Sequence, residues 1–148
     1  MTVTYEAGAE IHKEHLTLLE DLIQLDRGLD RLECYSEVFA NLAGWEQVKD
    51  YGRRLVERLP DHFKREENKV LAPASQVSPE LDELCSELKR EHCELLARLA
   101  AFRAALDELD RAEDFDSAIW HLKSAGKAMI TYLRRHVATE EGELSGFL

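Results

Sequence analysis

A nine-residue pattern occurs twice in this chain and limits its fold more than any other feature. Leu59-Pro60-Asp61-His62-Phe63-Lys64-Arg65-Glu66-Glu67 returns as Leu133-Arg134-Arg135-His136-Val137-Ala138-Thr139-Glu140-Glu141. Both copies read Leu-x-x-His-x-x-x-Glu-Glu, displaced by 74 positions (62 to 136). Upstream, Gly52 aligns with Gly126 and Leu55 with Met129. Residues four apart on an α-helix share nearly one face, about 6 Å apart along the axis. His-x-x-x-Glu therefore aims an imidazole and a carboxylate at one point, as bundle helices do when they hold metal ions.

A second echo pairs Glu14-His15-Leu16-Thr17-Leu18-Leu19-Glu20-Asp21-Leu22 with Glu91-His92-Cys93-Glu94-Leu95-Leu96-Ala97-Arg98-Leu99, displaced by 77 positions (15 to 92). The shared core is Glu-His-x-x-Leu-Leu-x-x-Leu. In chain order the motifs run His15, His62/Glu66, His92, His136/Glu140, which is one two-helix unit written twice.

Apolar residues recur at spacings of three and four around these motifs, the mark of helices with one buried stripe. After a lead-in of residues 1–8 ending near Gly8, the first seam is Ile11, His15, Leu18, Leu22, Leu25, Leu29 and Leu32. Residues 33–45 read as a connection with Gly44 as a break. Helix two, about 46–71, has the seam Val48, Gly52, Leu55, Leu59, His62, Glu66 and Val70. Pro60 removes a backbone bond inside it, so a kink is expected two residues before His62. Pro73 ends this helix and 74–77 form a loop, after which Ser78-Pro79 reads as a cap and a first-turn proline.

Helix three, about 79–110, carries Leu81, Cys85, Leu88, His92, Leu95, Leu99, Phe102, Leu106 and Leu109. A charged turn over 110–114 leads to helix four, about 115–141, whose face is Leu122, Gly126, Met129, Leu133, His136 and Glu140, with Gly142 as the stop. Short connections after helices two and three imply antiparallel neighbours. The expectation is an all-α, antiparallel up-down four-helix bundle with a pseudo-two-fold repeat of helical hairpins, filling residues 1–148 as a single domain. Gly52 and Gly126 hint at close helix approach.

Composition agrees with this reading. The chain has only 7 Gly and 3 Pro, and 33% of its residues are charged. Its formal net charge of −11 provides no basic stripe for a nucleic-acid backbone and argues against anionic membranes. No signal-like segment and no run of 18 apolar residues appear, so a cytoplasmic location is expected. Cys34, Cys85 and Cys93 are an odd set without C-x-x-C spacing, which suggests neither a disulfide framework nor a zinc knuckle. Cys85 and Cys93 are read as small buried apolar residues.

Four histidines and two glutamates thus interrupt seams in which aliphatic residues are the rule. One histidine on an apolar face is most often a core residue with its hydrogen bonds satisfied. Six buried polar groups need more, because unpaired buried carboxylates cost several kcal/mol each in a domain stable by about 5–15 kcal/mol. A bound cation supplies the compensation. Two ions suit the count better than one, each with two imidazoles and a share of both carboxylates, bridged by a solvent-derived oxo or hydroxo group. Imidazole and carboxylate without thiolate suit iron, or manganese, more than structural zinc. Glu67 and Glu141 are rotated about 100° from the motif carboxylates and read as outer groups. His12, one turn before His15, is the rival in helix one, although the repeat sets it opposite Lys89. His121 lies off its seam and reads as a surface residue, while Tyr51, Trp120 and Tyr132 read as packing aromatics.

The order His…His-x-x-x-Glu…His…His-x-x-x-Glu, spread over nearly the whole chain, resembles the hemerythrin-like HHE cation-binding family. The resemblance implies a non-haem di-iron centre with His15, His62, His92 and His136 as terminal ligands and Glu66 and Glu140 as bridges. Oxygen-carrying hemerythrins have a histidine four residues beyond the one matching His92, where this chain has Leu96. The four-His, two-Glu pattern is closer to the repair-of-iron-centres proteins and the iron-sensing hemerythrin domains. The function implied is capture or sensing of O2, NO or iron. The alternatives are a di-iron enzyme that reduces NO or peroxide with an electron donor or delivers iron for iron–sulfur cluster repair, and a structural bundle without a functional metal.

Overall fold

The computed structural model describes residues 2–32, 38–111 and 113–148 of the chain. Helix α1 spans Thr2–Arg31 and α2 spans Val38–Glu66. A π-helical turn, Glu67–Leu71, leads into the short α3 (Ala72–Ser75), followed by α4 (Pro79–Arg111) and α5 (Phe115–Glu143). No strand occurs among the described residues, and none of their helices is long and apolar enough to cross a membrane. Helix α1 packs on α2 and α4 on α5, while α1–α5 and α2–α4 contacts close the ring. The molecule is the expected antiparallel four-helix bundle, with α1, α2, α4 and α5 as its staves.

Every residue of the four predicted seams is buried except Leu81, which is half-buried. The seams fill two apolar clusters of unequal size. The larger includes Leu18, Leu22, Leu55, Leu59, Phe63, Leu95, Phe102, Leu133 and Val137. The smaller gathers Ile11, Val70, Leu71, Ala74, Cys85, Leu88 and Leu144, with Phe147 and Leu148 against it. On each long helix the motif histidine falls between these two clusters, as in Ile11–His15–Leu18 and Leu88–His92–Leu95. A polar layer is therefore sealed above and below by hydrocarbon, which strengthens every electrostatic interaction within it.

Several boundaries differ from the expectation, and close packing explains two of them. Helix α1 starts at Thr2 rather than near residue 9, because Gly8 is not a break. It is buried, and a Cβ there would overlap the carbonyl oxygen of Phe147, so the missing side chain lets the C-terminal tail cross α1. Helix α2 starts at Val38 and runs through Gly44, which is buried against Arg31 and the backbone of Gly28 in α1. Residues 33–37 of the predicted connection, Cys34 among them, lie outside the described residues.

Pro60 sits inside α2 on its exposed face, and the change of helical register in this segment is the π-helical turn just after Glu66. Pro73 lies in the first turn of α3 instead of ending a helix, so Ala74 and Ser75 are helical. The Ser78 hydroxyl accepts a hydrogen bond from the Leu81 amide at 3.2 Å, and Asp114 caps α5 by accepting from the Ser117 amide at 3.2 Å. Helix α5 passes Gly142 and ends one residue later. Cys85 is buried as expected but Cys93 is exposed. Eight residues of helix turn about 80° beyond two full rotations, which carries Cys93 off the seam.

The two aligned glycines have a shared purpose. Phe102 of α4 lies between them, its Cε1 3.0 Å from where a Cβ on Gly52 would stand and its Cε2 3.2 Å from one on Gly126. The ring thereby wedges α2 and α5 against α4 in the middle of the larger cluster.

Because the obstacle at Gly8 is backbone, Gly8→Ala should cost about 1–3 kcal/mol, in the range of other overpacking changes. Thermal melting should fall by several degrees and limited proteolysis should clip the displaced tail. A melting temperature equal to that of the parent chain would contradict the close approach described.

Candidate metal centre

The apolar seams deliver four histidines and two glutamates to the sealed layer, and all six are at most 2% exposed. Glu66 is the hub. Its Oε2 lies 2.8 Å from His15 Nε2 and 3.3 Å from His62 Nε2, while its Oε1 lies 2.9 Å from His92 Nε2. The two oxygens of one carboxylate thus reach histidines of both hairpins. Glu140 Oε1 lies 2.6 Å from His136 Nε2 and 3.8 Å from His15 Nε2. Every motif histidine turns Nε2 inward. The donor atoms of Glu66, His92, His136 and Glu140 lie within 4.8 Å of one another, as do those of His15, His62 and Glu66, and each set could hold a metal ion.

Each outward Nδ1 meets a different carboxylate. His15 pairs with Glu141 at 2.8 Å, His62 with Glu14 at 2.6 Å, His92 with Glu67 at 3.0 Å and His136 with Glu91 at 3.1 Å. These contacts follow the repeat. Glu14 and Glu91, each just before a motif histidine, reach across their own hairpin. Glu67 and Glu141, each just after a motif glutamate, reach into the other hairpin. With a cation bound, a carboxylate on Nδ1 would hold the ring proton there, leave the Nε2 lone pair free for the metal and raise its basicity, whereas without one the Nε2 of His15, His62 and His92 donates to Glu66.

Glu67 and Glu141 match the outer role read from the sequence. Glu14 and Glu91 were missed as functional residues, although the duplicated Glu-His pair displayed them. On a helix, adjacent residues diverge by about 100°, so each glutamate serves the histidine of the neighbouring helix and not its own.

Charge within the layer is divided unevenly. Burial pushes the Glu140 carboxyl up to about 12, helped by its hydrogen bond to Glu66 and by the charges of Glu66, Glu91 and Glu141. Burial also opposes the ionised form of Glu66, but hydrogen bonds from Glu140, His15, His62 and His92 outweigh it and hold that carboxyl well below the usual range. Without a cation, then, Glu66 is the anion and Glu140 retains its proton. Burial lowers His136 to about 4, reinforced by the nearby His92 and opposed by Glu91 and Glu66. For His15, burial is more than offset by Glu66 and Glu141, and its pKa is raised.

The protein's own groups do not complete this arrangement. His136 Nε2 and Glu140 Oε1 are buried and 2.6 Å apart, yet neither has a hydrogen-bond partner. Leaving such groups unsatisfied costs about 1–3 kcal/mol each. An inward-facing imidazole nitrogen and carboxylate oxygen without partners are the groups a cation would engage. The donor set of nitrogen and oxygen, with no sulfur, fits an iron or manganese ion.

Packing holds the donors in place. The Phe63 ring stacks on His92 with centroids 4.0 Å apart and meets His62 and His136 at steeper angles. A groove of about 410 Å³ between α1 and α2, lined in part by Lys13, Asp21, Arg58, Arg65 and His62, brings solvent to one side of the layer. His12, the rival of His15, stands outside the layer with Nδ1 2.8 Å from Glu141 Oε1. His121 is on the surface, 3.8 Å from Glu108. Tyr51 and Tyr132 are half-buried beneath Arg54 and Arg98, whereas Trp120 is exposed.

A helical bundle whose interior layer is built from His-x-x-x-Glu pairs defines a class of cation-binding domain. The chain belongs to the hemerythrin HHE cation-binding domain family, whose model matches residues 5–148. No curated protein and no solved structure gives a significant match.

The unequal protonation of the two glutamates can be tested in protein stripped of metal by a chelator. Glu140→Gln replaces a neutral carboxyl by a neutral amide and should change unfolding free energy by less than about 1 kcal/mol. Glu66→Gln removes the charge that three imidazoles share and should cost about 3 kcal/mol. Denaturant titration measures both. Equal losses, or a larger loss at Glu140, would contradict the assignment.

Proposed function

We propose that the bundle binds two iron ions, with manganese as the nearest substitute, and uses them to bind or sense O2, NO or iron itself. In this reading His15 and His62 hold one ion, His92 and His136 hold the other, and Glu66 and Glu140 bridge them with a solvent-derived oxygen. The observation that carries it is the shared orientation of the four imidazoles: each Nε2 faces the buried glutamates and each Nδ1 is held by its own carboxylate. A core histidine needs only its own hydrogen bonds satisfied. Four imidazoles oriented alike around two carboxylates are arranged for something between them.

When bound, the iron pair supplies an open coordination position for a diatomic molecule and the capacity to exchange electrons with it. The chain's residues do the remainder. The two apolar clusters limit water at the layer. Phe63 fixes the planes of His62, His92 and His136, and the outer carboxylates keep the Nε2 lone pairs directed inward. Glu140 must release its proton when it takes a cation, so uptake is coupled to proton release and weakens as pH falls. We assign the whole chain, 1–148, to one domain around this site and place it in the cytoplasm, where a cellular electron donor would keep the iron reduced. The acidity of the chain, −11, speaks against nucleic acid or an anionic membrane as partner.

Anaerobic reconstitution with ferrous iron followed by elemental analysis should find about two irons per chain. His62→Ala and His136→Ala should each lose metal and lower the melting temperature, while His121→Ala should do neither. Rapid mixing of the reduced iron protein with O2 or NO should change its absorption spectrum. Absence of bound iron would overturn the metal reading, and a spectrum indifferent to both gases would overturn the gas-binding one. Sustained turnover of NO or peroxide with an added electron donor would mark the protein as an enzyme instead.

A further inference from the structure

The repeat gives the two proposed cation positions matching motif residues, so residues that break the repeat can make the positions differ. Position 65 does so. Arg65 donates from Nε to Glu14 Oε1 at 2.9 Å and from Nη2 to the same oxygen, while the other oxygen of Glu14 accepts from His62 Nδ1. Its counterpart 74 positions later is Thr139, whose hydroxyl donates to the Arg135 carbonyl at 3.0 Å and leaves Glu91 alone. Among the described residues, no lysine or arginine forms an ion pair with Glu91 or Glu67. The carboxylates on His92 and His136 thus serve one imidazole each.

In the other half, Glu14 is shared with a guanidinium, and Glu141 is shared by His15 with His12. The inner donors lean the same way. Glu140 Oε1 lies closer to His136 than to His15, so four donor atoms gather beside His92 and His136 and three beside His15 and His62.

We infer that the two cation positions are unequal, that the one between His92 and His136 fills first, and that Arg65 is a positioning residue that widens the difference. The inference rests on the two-cation reading given above. A carboxylate hydrogen-bonded to Nδ1 strengthens an imidazole as a metal ligand by feeding negative charge into the ring. A guanidinium on that carboxylate withdraws part of the charge. It also adds a positive group beside that carboxylate, screened only in part because Arg65 and Glu14 border the groove while His62 is buried. The clamp also fixes Glu14, whose contact with His62 (2.6 Å) is shorter than that of the unclamped Glu91 with His136 (3.1 Å); this favours binding, and the charge the guanidinium withdraws opposes and outweighs it. Changes of outer groups of this kind typically alter metal affinity by 10–100-fold, so the two steps should separate by about tenfold or more.

The test is a titration of the metal-free full chain with Co(II), followed by calorimetry and by the visible absorption of the bound ion. The parent chain should show two resolved steps, the tighter lost in His136→Ala and the weaker lost in His62→Ala. Arg65→Gln keeps a hydrogen-bond donor but removes the charge. It should tighten the weaker step by about tenfold and leave the tighter step unchanged, narrowing the gap without closing it, because the donor counts and the His12–Glu141 contact still differ. Thr139→Arg should weaken the tighter step. Two equal steps in the parent chain would overturn the inequality while leaving the two-cation reading intact. Weaker binding in Arg65→Gln would overturn the role of Arg65. Uptake of fewer than two ions would overturn both readings together.

Discussion

The structure depends on one buried carboxylate. Glu66 is fully withdrawn from solvent, yet it remains ionised because three imidazoles and a protonated Glu140 surround it. An isolated anion in such a place would cost several kcal/mol, comparable with the whole stability of a domain this size. The bundle tolerates it only as the centre of a network that reaches outward through four imidazoles to four further carboxylates. Those outer carboxylates are partly exposed, so the charge of the interior is linked stepwise to solvent. Removing one member leaves its neighbours buried and unpaired, which is why the network behaves as a unit.

The duplication explains how a chain of this length assembles such a network. One hairpin contributes His15, His62 and Glu66, and the other contributes His92, His136 and Glu140. Neither hairpin can enclose its polar groups alone. The cross-links from Glu67 to His92 and from Glu141 to His15 tie the second helical segment of each hairpin to the other hairpin. These cross-links favour one register of the two hairpins, the best-attested use of buried polar groups. Departures from the repeat, at Arg65 against Thr139 and at His12 against Lys89, then give the halves different electrostatic surroundings.

Much of this was legible in the sequence. Seams at three- and four-residue spacing predicted the buried faces, and His15, His62, Glu66, His92, His136 and Glu140 stood out because each replaced an aliphatic residue in a row of them. The legible information was local, set by the period of a helix. What escaped depended on contacts between helices. Glu14 and Glu91 lie one position off the seam, where a glutamate is ordinarily a solvated residue, and only the neighbouring helix shows what they bind. Gly8 and Gly44 were read as breaks, since glycine disfavours helices, but each is a point where another segment lies too close for a side chain. Cys93 was assigned to the buried face although its spacing from Cys85 carries it out of register.

Two cations are proposed to sit in the polar layer, one beside each histidine pair. Anomalous diffraction at the iron edge, from crystals of the iron-loaded chain, tests this most directly. Two peaks are predicted within the sealed layer, one beside His15 and His62 and the other beside His92 and His136, with Glu66 reaching both. Iron found only outside that layer, or a layer with no peak in fully loaded protein, would contradict the account.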